Sequence, residues 1–138
     1  MTDVNTPPEA PAPDANPYIF KILRMSEWSI MKAMGEFIGS VDDKRDGYIH
    51  LSTAEHIKTT LDKYYTTAVT RGQAVVLVKI KTAGLEDKLV YELARGDIYF
   101  PHYYAPLPMS HVVDSVRVSA GSDGLYDPTD FLAKADEA

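Results

Sequence analysis

The chain has no cysteine among its 138 residues, which excludes disulfides, thiolate nucleophiles and Cys-ligated zinc together. No uninterrupted apolar stretch approaches the roughly twenty residues that span a bilayer, and the N-terminus lacks the basic-then-apolar order of a secretion signal. Both absences point to a cytoplasmic setting without a membrane partner. Gly-rich phosphate loops of familiar spacing, a Gly-x-Ser-x-Gly elbow, and His-x-x-x-His or His-Glu-x-x-His pairs are missing as well. Phosphate-loop, serine-hydrolase and helix-borne zinc chemistries therefore have no local signature, and no metal site is expected unless separate histidines converge with an acid.

Excess basic charge is also lacking. The net charge of -6 resides at the ends: residues 1–17 hold Asp3, Glu9 and Asp14 without a base, and from Ala120 onward five acids face only Lys134. Residues 18–119 are left at a net charge of about +1. Nothing there forms a stripe for a polyanion, so nucleic acid is not an expected partner.

Pro7, Pro8, Pro11, Pro13 and Pro17 lie among small and acidic residues. That composition buries too little apolar surface to offset its ordering entropy, so residues 1–17 are expected to be a disordered tail. Residues 18–119 have the length of a single domain. Residues 120–138 form an acidic, partly ordered tail in which only Leu125, Tyr126, Phe131 and Leu132 can dock.

Within the domain, Tyr18 to Leu23 reads as a strand, and Ser26 as the N-cap of a helix carrying Trp28, Met31 and Met34. Asp46-Gly47 is a turn ahead of a short strand, Tyr48 to Leu51. Alternation sends Ile49 and Leu51 to one side of it, and Tyr48, His50 and Ser52 to the other. Ser52-Thr53-Ala54-Glu55 has capping-box spacing for a helix running to about Thr70. The nearly all-apolar run from Ala74 to Ile80, broken only by Lys79, predicts a central strand buried on both faces. Leu89 to Leu93 and Val112 to Val118 are further strands, while Pro101, Pro106 and Pro108 predict an ordered extended loop between them. This irregular order of strands and helices argues for an α+β domain.

Two segments about fifty residues apart concentrate polar and aromatic side chains: Asp46 to Thr53, and Phe100 to Pro108. His50, at the expected start of a helix, can bind a phosphate or carboxylate or move protons; a purely orienting hydrogen bond is its plainer role. Ser52 is accounted for by capping alone, with a reactive hydroxyl as the sharper reading, and Thr53 shares that ambiguity. His102, Tyr103 and Tyr104, framed by prolines, read as a loop that stacks a planar ligand, or as rings packed beneath it. Glu92 either orients a histidine or pairs with Arg95 or Lys79 at the surface. His50, Glu92 and His102 are thus the candidate catalytic residues. Tyr48, Ser52, Thr53, Tyr103 and Tyr104 are the candidate ligand contacts.

On Tyr18 to Ile22, the Asp46 to Glu55 block, the Glu92 strand and Phe100 to Pro108, residues 18–118 resemble the bacterial family known as domain of unknown function 952. The resemblance implies a mixed, mostly antiparallel split β-sheet with two main helices, as in ADP-ribosyltransferases. In that wider fold NAD lies between half-sheets, contacted by a first-strand His or Arg, a Tyr or Ser near the next strand's end, and often a later Glu. By position these are Lys21, Tyr48 or Ser52, and Glu92. Lysine supplies neither a bidentate nor an imidazole contact, so the correspondence is incomplete at the first strand. The reading is a His- and Tyr-lined cleft for a small anionic or nucleotide-like ligand in a possible transferase, NAD being implied by fold analogy alone. The alternative is a non-catalytic module that docks a protein through segment 99–108.

Overall fold

The computed structural model describes residues 9–133, the side chains of Ala68 and Arg95 excepted. Parts of the two expected tails, residues 1–8 and 134–138, lie outside the described residues. In chain order the elements are β1 (Tyr18–Arg24), α1 (Met25–Met34), β2 (Glu36–Phe37), α2 (Val41–Asp46), β3 (Ile49–His50), α3 (Ile57–Tyr64), α4 (Thr67–Thr70), β4 (Val75–Lys81), β5 (Leu89–Leu93), β6 (Tyr99–Tyr103), β7 (Leu107–Pro108), β8 (Val112–Val118) and α5 (Thr129–Leu132).

All pairings are antiparallel. They form sheets ordered β1-β4-β8 and β3-β6-β5, with a small β2-β7 ribbon. The α+β class expected from the sequence is what folds, and β4 is the central strand of its sheet. Its residues Val75 to Ile80 are all buried, because both faces of that sheet are covered. Against one face lies a core of Ile19, Leu23, Val76, Val78 and Ile80 with Met31, Phe37, Ile49, Leu89 and Tyr103. Against the other lie Phe20, Ile22, Val75 and Leu77 with Ile57, Leu61, Tyr126 and Phe131.

Among the described residues one backbone pairing links the two larger sheets. Phe20 and Ser52 exchange both backbone hydrogen bonds, Phe20 N–H to Ser52 C=O at 2.8 Å and the reverse at 2.9 Å. Ser52 is therefore extended backbone at the seam and not the N-cap of a helix, which corrects the capping-box reading. The helix starts later, at Ile57, and it breaks at Tyr65. There Thr66 turns to cap α4 instead, its side chain accepting from Val69 N–H. A two-partner backbone pairing outweighs a local capping preference.

Two other expectations change. Ser26 lies inside α1; the N-cap is Arg24, whose N–H donates to the Glu27 carboxylate at 2.7 Å. The proline-rich segment is largely sheet, since β6 runs through Pro101 in the centre of β3-β6-β5. Pro101 C=O accepts from Leu51 N–H at 3.0 Å, so the N–H it lacks would face Leu51, just past the end of two-residue β3. Proline thus costs no hydrogen bond within the β3 strand and marks where its pairing stops.

At the chain's end Tyr126 and Phe131 are buried, whereas Leu125 is exposed. Tyr126 OH donates to Gln73 C=O, and Phe131 meets Phe20 edge-on with ring centroids 5.9 Å apart. Phe131→Ala should lower unfolding free energy by about 3 kcal/mol in urea denaturation, the usual consequence of emptying a buried aromatic position. An unchanged midpoint would show that the C-terminal segment does not contribute to this core.

Candidate functional site

Strand alternation puts Lys21 on the same face of β1 as Ile19 and Leu23, inside the protein, and Lys21 is 5 % exposed. A buried ammonium needs partners. Lys21 Nζ donates to Asp43 Oδ2 at 3.1 Å and to the His50 carbonyl at 2.8 Å, and lies 5.6 Å from the Phe37 ring centroid. The His50 carbonyl belongs to β3 just where β3 and β1 part. The lysine thereby supplies the hydrogen bond that a continuous sheet would have supplied.

Asp43 comes from α2, a short helix that the sequence analysis did not anticipate. Ser40 caps it: Ser40 Oγ accepts from Asp43 N–H at 3.1 Å, and Asp43 Oδ2 accepts from Ser40 N–H at 2.9 Å. Gly47 then closes the helix at φ 87°, a conformation open to glycine. The Ser40-x-x-Asp43 pair followed by Gly47 was the available signal, hidden by the helix's length of six residues.

Asp43 Oδ1 also accepts from His50 Nδ1 at 2.6 Å and from the His50 backbone N–H at 3.0 Å. Burial works to raise the Asp43 carboxyl. It is outweighed by the His50 ring hydrogen bond, the Lys21 charge and the Ser40 and His50 backbone N–H groups, which hold it well below the usual carboxylate range. On the ring's other side, His50 Nε2 lies 2.9 Å from Asp46 Oδ2. His50 does not stand at a helix N-terminus, as the sequence reading had it, but between two carboxylates of α2.

Register brings the second histidine alongside. His50 and His102 are directly paired between β3 and β6, and their ring centroids lie 5.6 Å apart. His102 Nδ1 is 2.8 Å from Glu92 Oε1, the same oxygen that accepts from Tyr104 OH. Burial lowers the His102 pKa against the opposing pull of Glu92. The Tyr104 and His102 hydrogen bonds lower that of Glu92, and Glu92 pushes Tyr104 up to about 12. Tyr48 stacks on His102 at 4.0 Å with rings 17° apart, and its centroid is 4.7 Å from that of His50.

Of the sequence-derived candidates, then, Tyr48, His50, Glu92, His102 and Tyr104 form one connected group. Ser52 borders the same cleft, buried, with its hydroxyl 3.4 Å from Thr60 Oγ1. Tyr103 does not join them: one residue from His102, it faces the opposite side and is 6 % exposed in the core. Thr53 lies apart, with its hydroxyl 3.2 Å from His56 Nδ1 and beside a second depression near Tyr91 and Tyr99. Asp43, Asp46 and the buried role of Lys21 were missed. The cleft itself measures about 840 Å³ and is bordered by β1, α2, β3 and α3, with Lys21, Tyr48, His50 and His102 among its walls. Glu92 stands behind His102 rather than in the wall. Among the described residues no three His, Cys, Asp or Glu side chains are grouped to hold a metal ion. No described helix is long and apolar enough to cross a membrane.

The fold and site define a small α+β domain whose split antiparallel sheets frame a cleft walled by paired histidines. The chain belongs to the family described as "Protein of unknown function (DUF952)", which matches residues 22–115. It is similar to protein CC0527 of Caulobacter crescentus, with 38% sequence identity. The crystal structure of CC0527 aligns over 84% of this chain and 98% of that one with a TM-score of 0.77. Its solution NMR structure aligns over 84% and 97% with a TM-score of 0.71. No curated protein matches the chain.

Removing one member of the Lys21–Asp43 pair leaves the other charged and buried. Asp43→Ala should therefore destabilise the fold by about 3–5 kcal/mol, and Lys21→Met combined with Asp43→Leu should recover only part of that loss, because the His50 carbonyl and the Ser40 and His50 N–H groups lose their partners. Because the folded Asp43 pKa lies below its ordinary value of 3.8, its contribution is complete above that pH and falls away as pH drops below it. Urea denaturation from pH 7 to pH 3 should show wild-type stability declining at the acid end, and the Lys21→Met/Asp43→Leu variant declining less. Equal acid sensitivity would remove Asp43 as the cause.

Proposed function

We propose that the cleft binds a small anionic or nucleotide-like molecule, and that the domain is related in fold to the ADP-ribosyltransferases, with group transfer as the reaction class. The observation that carries this reading is the convergence of His50 and His102, from segments about fifty residues apart, on one cleft wall with Tyr48 packed against both. Each ring is backed by a carboxylate, Asp43 or Glu92, that sets its orientation. An imidazole donating Nδ1–H to Glu92 carries its lone pair on Nε2, the form suited to accepting a proton. Tyr48 adds an aromatic surface for a planar group.

NAD in the fold's usual manner does not fit the first strand. Lys21 directs its N–H groups at Asp43 and the His50 carbonyl, so a nucleotide here is held by the histidine wall and not by a first-strand cation. Thermal unfolding of the full chain with NAD, ADP-ribose and AMP at millimolar concentration should give stabilisation by at least one of them, since a ligand that binds only the folded state stabilises it by mass action. The shift should vanish in His102→Ala. Absence of any shift in the wild-type protein would remove this reading.

A further inference from the structure

Asp46 ends α2 and, unlike Asp43, stands in the open, its side chain 29% exposed against 2%. Its carboxylate faces two N–H donors of Arg45 and, when the His50 ring carries a proton on both nitrogens, Nε2–H as a third. Oδ1 accepts from Arg45 Nε at 2.9 Å, whereas Oδ2 is shared between Arg45 Nη2 at 3.2 Å and His50 Nε2 at 2.9 Å. In that form two oxygens serve three donors. A phosphate, with more oxygens and more charge than the carboxylate, can take the same donors.

The donors are held independently of Asp46. Asp43 fixes the His50 ring through Nδ1, and Asp42 accepts from Arg45 Nη1 at 3.0 Å. Arg45, Asp46 and His50 all border the cleft. Exposed ion pairs are weak, so Asp46 is displaceable where Asp43 is not.

We propose that His50 Nε2 and the Arg45 guanidinium form a subsite for a ligand phosphate, and that the Asp46 carboxylate competes with that phosphate for the same donors. This rests on the cleft being the ligand site, and it names the groups that take the anionic part. Asp42 and Asp43 add negative charge nearby but remain engaged with Arg45, Lys21 and His50.

Calorimetric titration of the full chain with inorganic phosphate and with AMP tests it, with the His50 ring nitrogens followed by NMR. Asp46→Asn should tighten binding about fivefold or more, the affinity equivalent of relieving one exposed ion pair. Arg45→Ala added to it should reverse the gain. Glu27→Gln removes a cleft carboxylate whose hydrogen bond is to Arg24 N–H at the start of α1, and it should alter affinity less than about twofold. Tighter binding of AMP than of phosphate would identify a phosphate monoester as the ligand class. Equal affinity of Asp46→Asn and wild type, or equal tightening by Glu27→Gln, overturns the subsite. If NAD or ADP-ribose stabilises the protein while neither probe binds Asp46→Asn, the subsite falls and the cleft's assignment stands. If phosphate binds Asp46→Asn and no nucleotide stabilises the protein, the subsite stands and the nucleotide reading falls.

Discussion

The structure depends on a charged group where a sheet comes apart. β1 and the segment just past β3 are joined by a two-way backbone pairing at Phe20 and Ser52, and β1 and β3 diverge from there, which leaves the His50 carbonyl without a strand partner. Lys21 fills that role from inside the protein, and its own charge is balanced by Asp43. Burying an ammonium and a carboxylate is costly unless each is fully hydrogen-bonded, and here both are. The cleft exists because the sheets part, and the parting is tolerated because this pair satisfies the exposed backbone.

The same pair organises the chemistry. Asp43 accepts from Lys21, from the backbone of Ser40 and His50, and from the His50 ring, so the residue that stabilises the seam also aims one imidazole. The direct pairing of His50 with His102 carries that alignment across to β6, where Glu92 and Tyr104 hold the second ring from behind. Tyr48 lies against both rings. One seam interaction thereby sets the position of a cluster drawn from α2, β3, β5 and β6.

Much of the fold was legible along the chain because it follows from local pattern. The run from Val75 to Ile80, apolar but for Lys79, could only be a strand covered on both sides, and the alternation of Ile49 and Leu51 against Tyr48, His50 and Ser52 gave the correct faces of β3. Where the reading failed, a distant partner had won over a local preference. Ser52 has the neighbours of a helix cap, yet Phe20 takes its backbone. Pro101 has the look of a loop residue, yet its missing N–H falls where β3 has ended. Tyr103 belongs with His102 by adjacency, but a strand sends neighbours to opposite faces, and Tyr103 joins the core.

The sequence by itself determined the α+β class, the absence of thiol chemistry, the strands that alternate, and the two histidine segments worth watching. Those properties reside in composition and in short-range periodicity. Only the tertiary structure decided that Lys21 is buried against Asp43, that α2 places carboxylates on both nitrogens of His50, and that His102 is its direct neighbour. The reason is physical: a charge can be buried, or a ring aimed, only by partners brought from elsewhere in the chain, and no window of sequence contains them.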